Sequence, residues 1–466
     1  MMSAYSSARA GAIPFQLKHK GVMMRRFSLL AVLLTLLATV PGYARAQANE
    51  SNNGPLRMQI TGPGSRRIPI ALPQLKNLGG DDSQQLSTHF VGILQRDLKL
   101  SSYFSVIDPH AYIENSQTSG YDLGQFNFSD WSSINAEFLV KGAVTRKGGN
   151  VTLKALLFDV ANQRRVMGKQ FTGDPHDVGE MARRFADAVL QAVTGVRGPF
   201  DTRLAFVSTR GGRFKEIYTQ WLDGGGLFRV TDNPTINLFP SFDHSVTHLL
   251  YLSYKSMSPE LYLVDLNHRA ETRVATSLGM EVGGTLTPDG RVVAAISRRG
   301  KTNLYLLDRD GNEIRALTND SAINVSPAVC PSGNELAFTS DRSGAPQIYT
   351  MSLAGGHATR ITYSGEYNTT PSFSPDCSKI AYQGRTGGAF QIYLIGAHGG
   401  APVQLTNAGS NESPSFSPDG HYLAFSSSHG GGWRIYMMQL DSRNVALITE
   451  GEGDDYSPSW SWWLGQ

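Results

Sequence analysis

From Leu204 to the C-terminus, short apolar stretches alternate with polar ones, and the alternation itself repeats at a long period. The clearest copy reads Pro414-Ser415-Phe416-Ser417-Pro418-Asp419-Gly420, then Leu423-Ala424-Phe425, then Ile435-Tyr436. Its neighbour reads Pro371-Ser372-Phe373-Ser374-Pro375-Asp376, then Ile380-Ala381-Tyr382, then Ile392-Tyr393. A tyrosine mark recurs at Tyr218, Tyr262, Tyr305, Tyr349, Tyr393 and Tyr436, in steps of 43 or 44 residues. A proline mark keeps the same phase at Pro240, Pro327, Pro371, Pro414 and Pro458, with Gly284 in place of one. A period near 44 with four strand-like pieces per unit is the pattern of a β-propeller blade, and six marks predict six blades.

Each unit supplies an inner strand around Pro-Ser-Phe, a second around Leu-Ala-Phe, a third around Ile-Tyr and an outer one. The outer strands end at Leu317-Thr318, Ile361-Thr362, Leu405-Thr406 and Ile448-Thr449. Pro-Asp-Gly at 288–290 and 418–420 makes the tight turn between the first two strands, because glycine tolerates positive φ. Apolar positions along these strands face neighbouring units, so the core is shared and no unit buries it alone. The array opens on a second strand, Leu204-Ala205-Phe206-Val207, and ends on an orphan inner strand, Pro458-Ser459-Trp460-Ser461. The last strand is therefore predicted to complete the first blade and close the ring, leaving no exposed edge.

The region before the array carries a different pattern. Leu56-Arg57-Met58-Gln59-Ile60 alternates as a half-buried strand does, after the polar, Asn-rich 47–55. Ile68-Pro69-Ile70-Ala71-Leu72 is a second extended piece, whose proline points to an edge position. Leu86, Phe90, Leu94 and Leu98 form one face of a helix that Ser83 is placed to cap. Phe104–Ile107 reads as a strand and Tyr112–Ser133 as mostly loop. Phe138–Thr145 and Val151–Asp159 flank Lys147-Gly148-Gly149-Asn150 as a hairpin, with Arg165–Phe171 as a third strand. A last helix starts near Asp177, and Gly195 stops it. The predicted fold is thus mainly β: an N-terminal α+β domain over 47–197, then a six-bladed β-propeller over 198–466 closed by the C-terminal strand.

Residues 1–46 hold no acid and six basic residues: Arg9, Lys18, Lys20, Arg25, Arg26 and Arg45. The apolar run Phe27–Val40 ends in Ala44-Arg45-Ala46, which together read as a cleaved secretory signal peptide too short to span a bilayer. Met23 or Met24 is an alternative start, and Arg25-Arg26 admits a twin-arginine route. The whole chain is formally +3, so loss of those six positives leaves −3. A nucleic-acid or anionic-membrane binder would carry a basic surplus, and this chain, exported to an extracytoplasmic compartment, does not.

Candidate chemistry is sparse. No GxSxG elbow, HExxH helix or P-loop occurs, so no enzymatic activity is expected. His244 and His248 are four apart but fall at a turn and a strand edge. Cys330 and Cys377 are the only cysteines; adjacent blades would bring them near one another, but their repeat phases differ by three residues, which favours two free thiols. One polar constellation keeps the period. Asn237, Glu281, Asn324, Asn368, Asn411 and Asp455 stand three residues before each proline mark, on the connection into the inner strand. Loops favour such residues in any case; read as a ring, they would line one channel mouth and offer oxygens to Ca²⁺ or hydrogen bonds to an inserted peptide.

The blade marks, the α+β region before them and the signal peptide before that resemble the TolB family, over residues 56–466. The resemblance implies a monomeric, periplasmic binding protein of the Tol–Pal system with no cofactor of its own. Its propeller would bind the peptidoglycan-associated lipoprotein Pal over the channel mouth, and some bacteriocins would exploit that site. Its mature N-terminal segment would bind TolA, for which Leu56, Arg57, Met58, Gln59 and Ile60 supply a short strand able to pair with a sheet edge. The sequence departs from the family in placing the polar 47–55 before that strand. The role implied is drawing the outer membrane inward at cell division and preserving its integrity. The competing reading is a secreted propeller hydrolase acting at the same mouth, which requires an acid–His or metal cluster there.

Overall fold

The computed structural model describes residues 66–80, 83–274 and 278–464. The leader, the polar 47–55 and the Leu56–Ile60 strand lie outside the described residues.

Strands β1 (Ile68–Ala71), β2 (Lys76–Asn77), β3 (Phe104–Val106), β4 (Phe138–Lys147), β5 (Asn150–Asp159) and β6 (Arg164–Gly173) form one sheet. Its order is β3-β1-β4-β5-β6, with β2 against β4. Helices α1 (Ser83–Leu100) and α3 (Val178–Thr194) cover one face, and the short α2 (Phe128–Ser132) belongs to the other. Alternation along the strands explains the two faces: Val140 and Leu157 join Phe90, Leu94, Phe185 and Val189 in one core, while Leu139 and Leu156 join Trp131 in the second. Gly195, at φ 87°, ends α3 as expected.

Two local expectations change, and the mostly-loop 112–133 stretch gains a detail. Pro69 is not on an edge, because β1 runs parallel between β3 and β4. Pairing with β4 begins only at Ile70, so the N–H that Pro69 lacks falls just ahead of the ladder. Ser83 does not cap α1; its hydroxyl donates to the Gly79 carbonyl. The 112–133 stretch contains α2, capped by Asn127 and anchored by buried Trp131, whose Nε1 donates to Glu114 at 3.1 Å.

The propeller consists of six four-stranded antiparallel sheets. Blade one holds Arg203–Ser208, Glu216–Trp221 and Phe228–Arg229, and its inner strand is the C-terminal Asp455–Trp460. That pairing sets Asp455 opposite Ser208 and Trp460 opposite Leu204, so the last strand closes the ring. Blades two to six span 237–273, 280–316, 324–360, 368–404 and 411–447. The clusters between them are mixed by design of the repeat: Leu250 and Leu261 of blade two pack with Val292 and Ala294 of blade three. Every inner strand also carries a bulge, with Phe239, Ser326, Thr370, Ser413 and Ser457 at φ between 48° and 55° and Gly283 in the sixth place. Each non-glycine residue held there costs about 1–2 kcal/mol, so strain is concentrated around the channel wall.

The two cysteines are joined, which overturns the expectation of free thiols: Cys330 and Cys377 form a disulfide with their Cα atoms 5.6 Å apart. The phase difference is what makes the bond possible. Cys377 occupies the left-handed turn position that glycine holds at Gly333 and Gly420, with φ 60°. A Cβ built on Gly420 would meet Pro375 of the preceding blade at 3.3 Å. That turn position thus points at the preceding turn, where Cys330 sits.

Connections into the inner strands, and hairpins between second and third strands, lie on one face of the ring. The turns from first to second and from third to outer strands lie on the other. The N-terminal domain sits on the latter, hereafter the docked face. Tyr422, at the start of a second strand, donates its buried hydroxyl to the Ser101 carbonyl at 2.9 Å. Gln439, at the end of a third strand, donates to the Tyr103 hydroxyl at 3.1 Å. Arg183 of α3 pairs with Asp223 at 2.7 Å and lies 4.2 Å from the Trp221 ring.

This seam is rich in buried acids. Asp97 of α1 is fully buried, and neither carboxylate oxygen has a hydrogen-bond partner among the described residues. Burial holds its carboxyl well above the usual carboxylate range; Asp223 adds to the rise, Arg183 opposes it, and Asp187 raises it further. Asp187 is raised mainly by burial too, although the Phe200 N–H donates to it at 2.8 Å.

Two outcomes follow from this architecture. A chain ending after Gly453 loses the strand that completes blade one; its melting temperature should fall by about 10 °C or more, and an unchanged melt would refute the closure. A carboxyl with a folded-state pKa above its unfolded value binds more protons when folded, so its contribution to stability declines as pH rises from the unfolded value through the folded one. The Asp97→Asn protein should therefore show a flatter melting temperature than the parent between about pH 5 and 8; equal slopes would exclude Asp97 as the cause.

Candidate docking site at the channel mouth

The six inner strands enclose a channel of about 520 Å³. Its wall is the Pro-Ser-Phe repeat: prolines, small hydroxyl residues and backbone, with no Asp, Glu, Lys or Arg among the lining residues. The hydroxyls tie blades together. Ser241 and Thr285 lie 3.1 Å apart, and the Trp460 N–H donates to Ser415 Oγ at 2.9 Å. His244 is at the docked end, its ring 4.5 Å from that of Trp462. His248 instead meets Thr247 and Asp243, so the two histidines do not converge. Among the described residues, no group of three His, Cys, Asp or Glu side chains is placed to hold a metal ion.

The structure corrects the reading of Asn237, Glu281, Asn324, Asn368, Asn411 and Asp455 as an exposed ring. Each lies at or near the start of an inner strand and each is buried. Asn368 Nδ2 donates to Gln347 Oε1 at 2.8 Å and to the Ser364 carbonyl at 2.9 Å. Asn411 repeats the arrangement with Gln391 at 3.0 Å, and Asn237 with Glu216 at 2.9 Å. Glu281 accepts the Leu261 N–H at 2.5 Å. Asn324 accepts from Arg342 at 2.9 Å, and Asp455 takes both its bonds from Arg210, at 2.9 and 2.8 Å. These groups staple one blade to the preceding blade, or to the hairpin beside them. A polar group out of water must be paired, and at this position side chains and backbone of the preceding blade, or an arginine of the adjacent hairpin, supply the partners. Their oxygens consequently do not converge on the channel, and the set does not fit a Ca²⁺ site.

The third-strand partners obey the same period. Glu216, Asn303, Gln347 and Gln391 each stand two residues before a tyrosine mark, and Thr362 Oγ1 and Thr406 Oγ1 donate to the last two at 2.8 Å. Co-phased polar residues on two different strands were the available signal for a staple.

Around the mouth the open face exposes a set of apolar residues. Ile236, Met280, Ile323 and Tyr367 each immediately precede one of the buried staples, and all four are exposed. Phe239 stands at the bulge beside the channel, Met257 is 97% exposed on its hairpin and Tyr363 is 75% exposed. The Tyr367 ring lies 5.8 Å from that of Phe390. Sequence reasoning passed over this rim, although apolar residues one place ahead of the polar marks share their period. Isolated exposed apolar residues are ordinary; a set placed by the repeat around one mouth makes that mouth the candidate interaction surface. The Leu56–Ile60 grip lies outside the described residues.

Truncating a staple should act on stability. Asn368→Ala leaves Gln347 and the Ser364 carbonyl each short of a donor, at a cost of about 1–3 kcal/mol. A lowered melting temperature with partner binding retained is the expected result; lost binding with an unchanged melt would restore the residue to a contact role.

Comparison with known proteins agrees with this architecture. Residues 190–464 match the family described as TolB beta propeller domain, and residues 56–166 the TolB amino-terminal domain. The Tol-Pal system protein TolB of Desulfosudis oleivorans is 36% identical over 289 residues, covering 62% of this chain and 64% of that one. The Tol-Pal system protein TolB of Syntrophotalea carbinolica is 36% identical over 220 residues, covering 47% and 48%. The matched stretches thus span less than two thirds of these relatives' own lengths. The crystal structure of TolB from Acinetobacter baumannii superposes with a TM-score of 0.75 over 87% of this chain and 99% of that one, at 24% identity. With its propeller matched over more than half its length and the amino-terminal module ahead of it, the chain belongs to the TolB family.

Proposed function

We propose that this chain is a periplasmic adaptor of the Tol–Pal system, which holds the lipoprotein Pal on the open face of its propeller and TolA through the Leu56–Ile60 segment. The observation that carries the reading is the apolar rim of Ile236, Phe239, Met280, Ile323, Tyr363 and Tyr367 around an uncharged mouth, on the face the N-terminal domain leaves free. A rigid, strained inner-strand collar suits docking: it loses little conformational entropy when a partner settles on it. Neither the wall nor the rim offers a nucleophile with an adjacent base, which is why an adaptor accounts for the face better than a hydrolase. Engagement of both partners would link the outer membrane to the inner-membrane machinery during division and support envelope integrity. Bacteriocins would reach the cell by occupying the same mouth.

Capture from envelope extract separates the two grips. Replacing Phe239, Tyr363 and Tyr367 with Ser should weaken Pal capture by about tenfold or more, or about 1.4 kcal/mol, while TolA is retained. A version starting at Ser65 should do the reverse. Undiminished Pal capture by the rim variant would overturn the assignment of this face.

A further inference from the structure

Four of the six corners carry an exposed apolar residue ahead of the staple, so apolar contact alone would accept a partner in more than one rotational setting. One corner concentrates unpaired cations more than the others. The hairpin of blade three reads Arg298-Arg299-Gly300-Lys301, and all four residues are exposed. Arg298 pairs with Lys301 across the ladder, and Arg299 and Gly300 form the two-residue turn at φ 51° and 76°. Two left-handed residues make the tight turn whose twist matches the strands, so the cations stand on a fixed hairpin and not on a mobile loop. Arg298, Arg299 and Lys301 have no ion pair among the described residues.

Elsewhere on this face the hairpin cations are mostly neutralised or engaged; the exception is exposed Arg213 of blade one, which lies over the neighbouring Phe214 ring at 5.7 Å and has no ion pair among the described residues. Lys255 of blade two pairs with Glu271, Arg342 of blade four with Asp320 at 3.1 Å, and Arg210 of blade one with Asp455 at 2.8 Å. Lys215 lies over the Tyr456 ring at 4.5 Å. Blade five contributes Arg385 alone, and blade six has no Lys or Arg in its 428–433 connection.

The basic hairpin is continuous with the apolar rim. Met280 is paired with Ser297, next to Arg298, and Ile323 bridges to Thr302, next to Lys301. Three unneutralised cations therefore stand between two exposed apolar side chains.

We propose that this hairpin is the anchoring point for an acidic, apolar-flanked protein segment of the partner that docks at the mouth, and that it selects the rotational setting in which that partner binds. The inference rests on the docking role assigned to the open face. A protein occupant is favoured over an anionic bilayer by the rest of the rim: Glu366, Glu450 and Glu452 are exposed on the same face, and a flat anionic surface would be repelled there. A folded partner can set its acids over blade three alone. Exposed charges act mainly on encounter and orientation, and their effect is screened over about 10 Å at 0.1 M salt.

The test titrates the soluble domain of the lipoprotein against the mature protein and its R298Q/R299Q/K301Q variant across NaCl concentration. The substitutions are on an exposed hairpin, and a thermal melt confirms folding. The variant should bind about tenfold more weakly at low salt, with a shallower salt dependence, and converge with the parent near about 0.5 M. A photo-crosslinker at position 299 should capture one carboxylate-rich peptide of the partner. Equal affinity and equal salt slope, or a crosslink to peptides without acids, would overturn the anchor while leaving the docking role intact. Failure of the parent protein itself to bind would remove both. Sedimentation of the parent, but not the variant, with phosphatidylglycerol vesicles would overturn the protein anchor in favour of a membrane.

Discussion

The constraint on which the rest depends is that no blade can bury its own core. Each sheet has two apolar faces and covers them only by packing against its neighbours, so stability is shared around the ring and an open ring would leave a face bare. The pairing of Asp455–Trp460 with Arg203–Ser208 meets that demand with the two ends of the array. That blade and blade six together carry the N-terminal domain. Trp460 Nε1 donates to Thr202 at 2.8 Å, Trp463 Nε1 to the Gly198 carbonyl at 2.8 Å, and Leu100 and Tyr103 pack on the cluster containing Leu204 and Phe206. Ring closure and domain attachment are thus mechanically one event.

That coupling gives the two faces different work. On the docked face, Tyr422, Gln439, Asp97 and the Arg183–Asp223 pair are buried, and the seam is polar enough to make its stability sensitive to protonation. On the open face, the connections carry exposed apolar residues and, at blade three, a cluster of three cations unpaired among the described residues, around a channel with no charged lining residue. The strained bulge residues lie between the two faces, in the channel wall. A collar in which every inner strand bends the same way is held rigidly by staples from Asn237, Asn368 and Asn411 to the preceding blade. Binding surfaces that are preorganised in this way lose less on association.

The polar marks show why position along the chain is not position in space. An Asn three residues before a proline is equally compatible with a solvated loop and with the first residue of a strand. Tertiary packing chose the second, because the Gln347 and Gln391 side-chain carbonyl oxygens on the preceding blade, each already accepting from a threonine, take a second bond from the Asn amide. The exposed residues were their immediate neighbours, Met280, Ile323 and Tyr367, since consecutive side chains of a strand point to opposite sides. The disulfide has the same origin: a three-residue offset that argues against contact in a flat comparison of repeats is what a left-handed turn residue needs to reach the preceding turn.

Sequence alone determined the number of blades, the four-strand unit, closure by the final strand, the α+β domain before the ring and family membership. Each of these is written as a period or an order, and periods survive without coordinates because hydrophobic burial repeats wherever the structure repeats. Tertiary structure decided which of two adjacent residues faces water, that Pro69 could sit inside a sheet, that Cys330 reaches Cys377, and which face the N-terminal domain leaves open. Those questions turn on the direction of a side chain and on the partner across a gap between blades. Both are properties of packing between segments far apart in the chain.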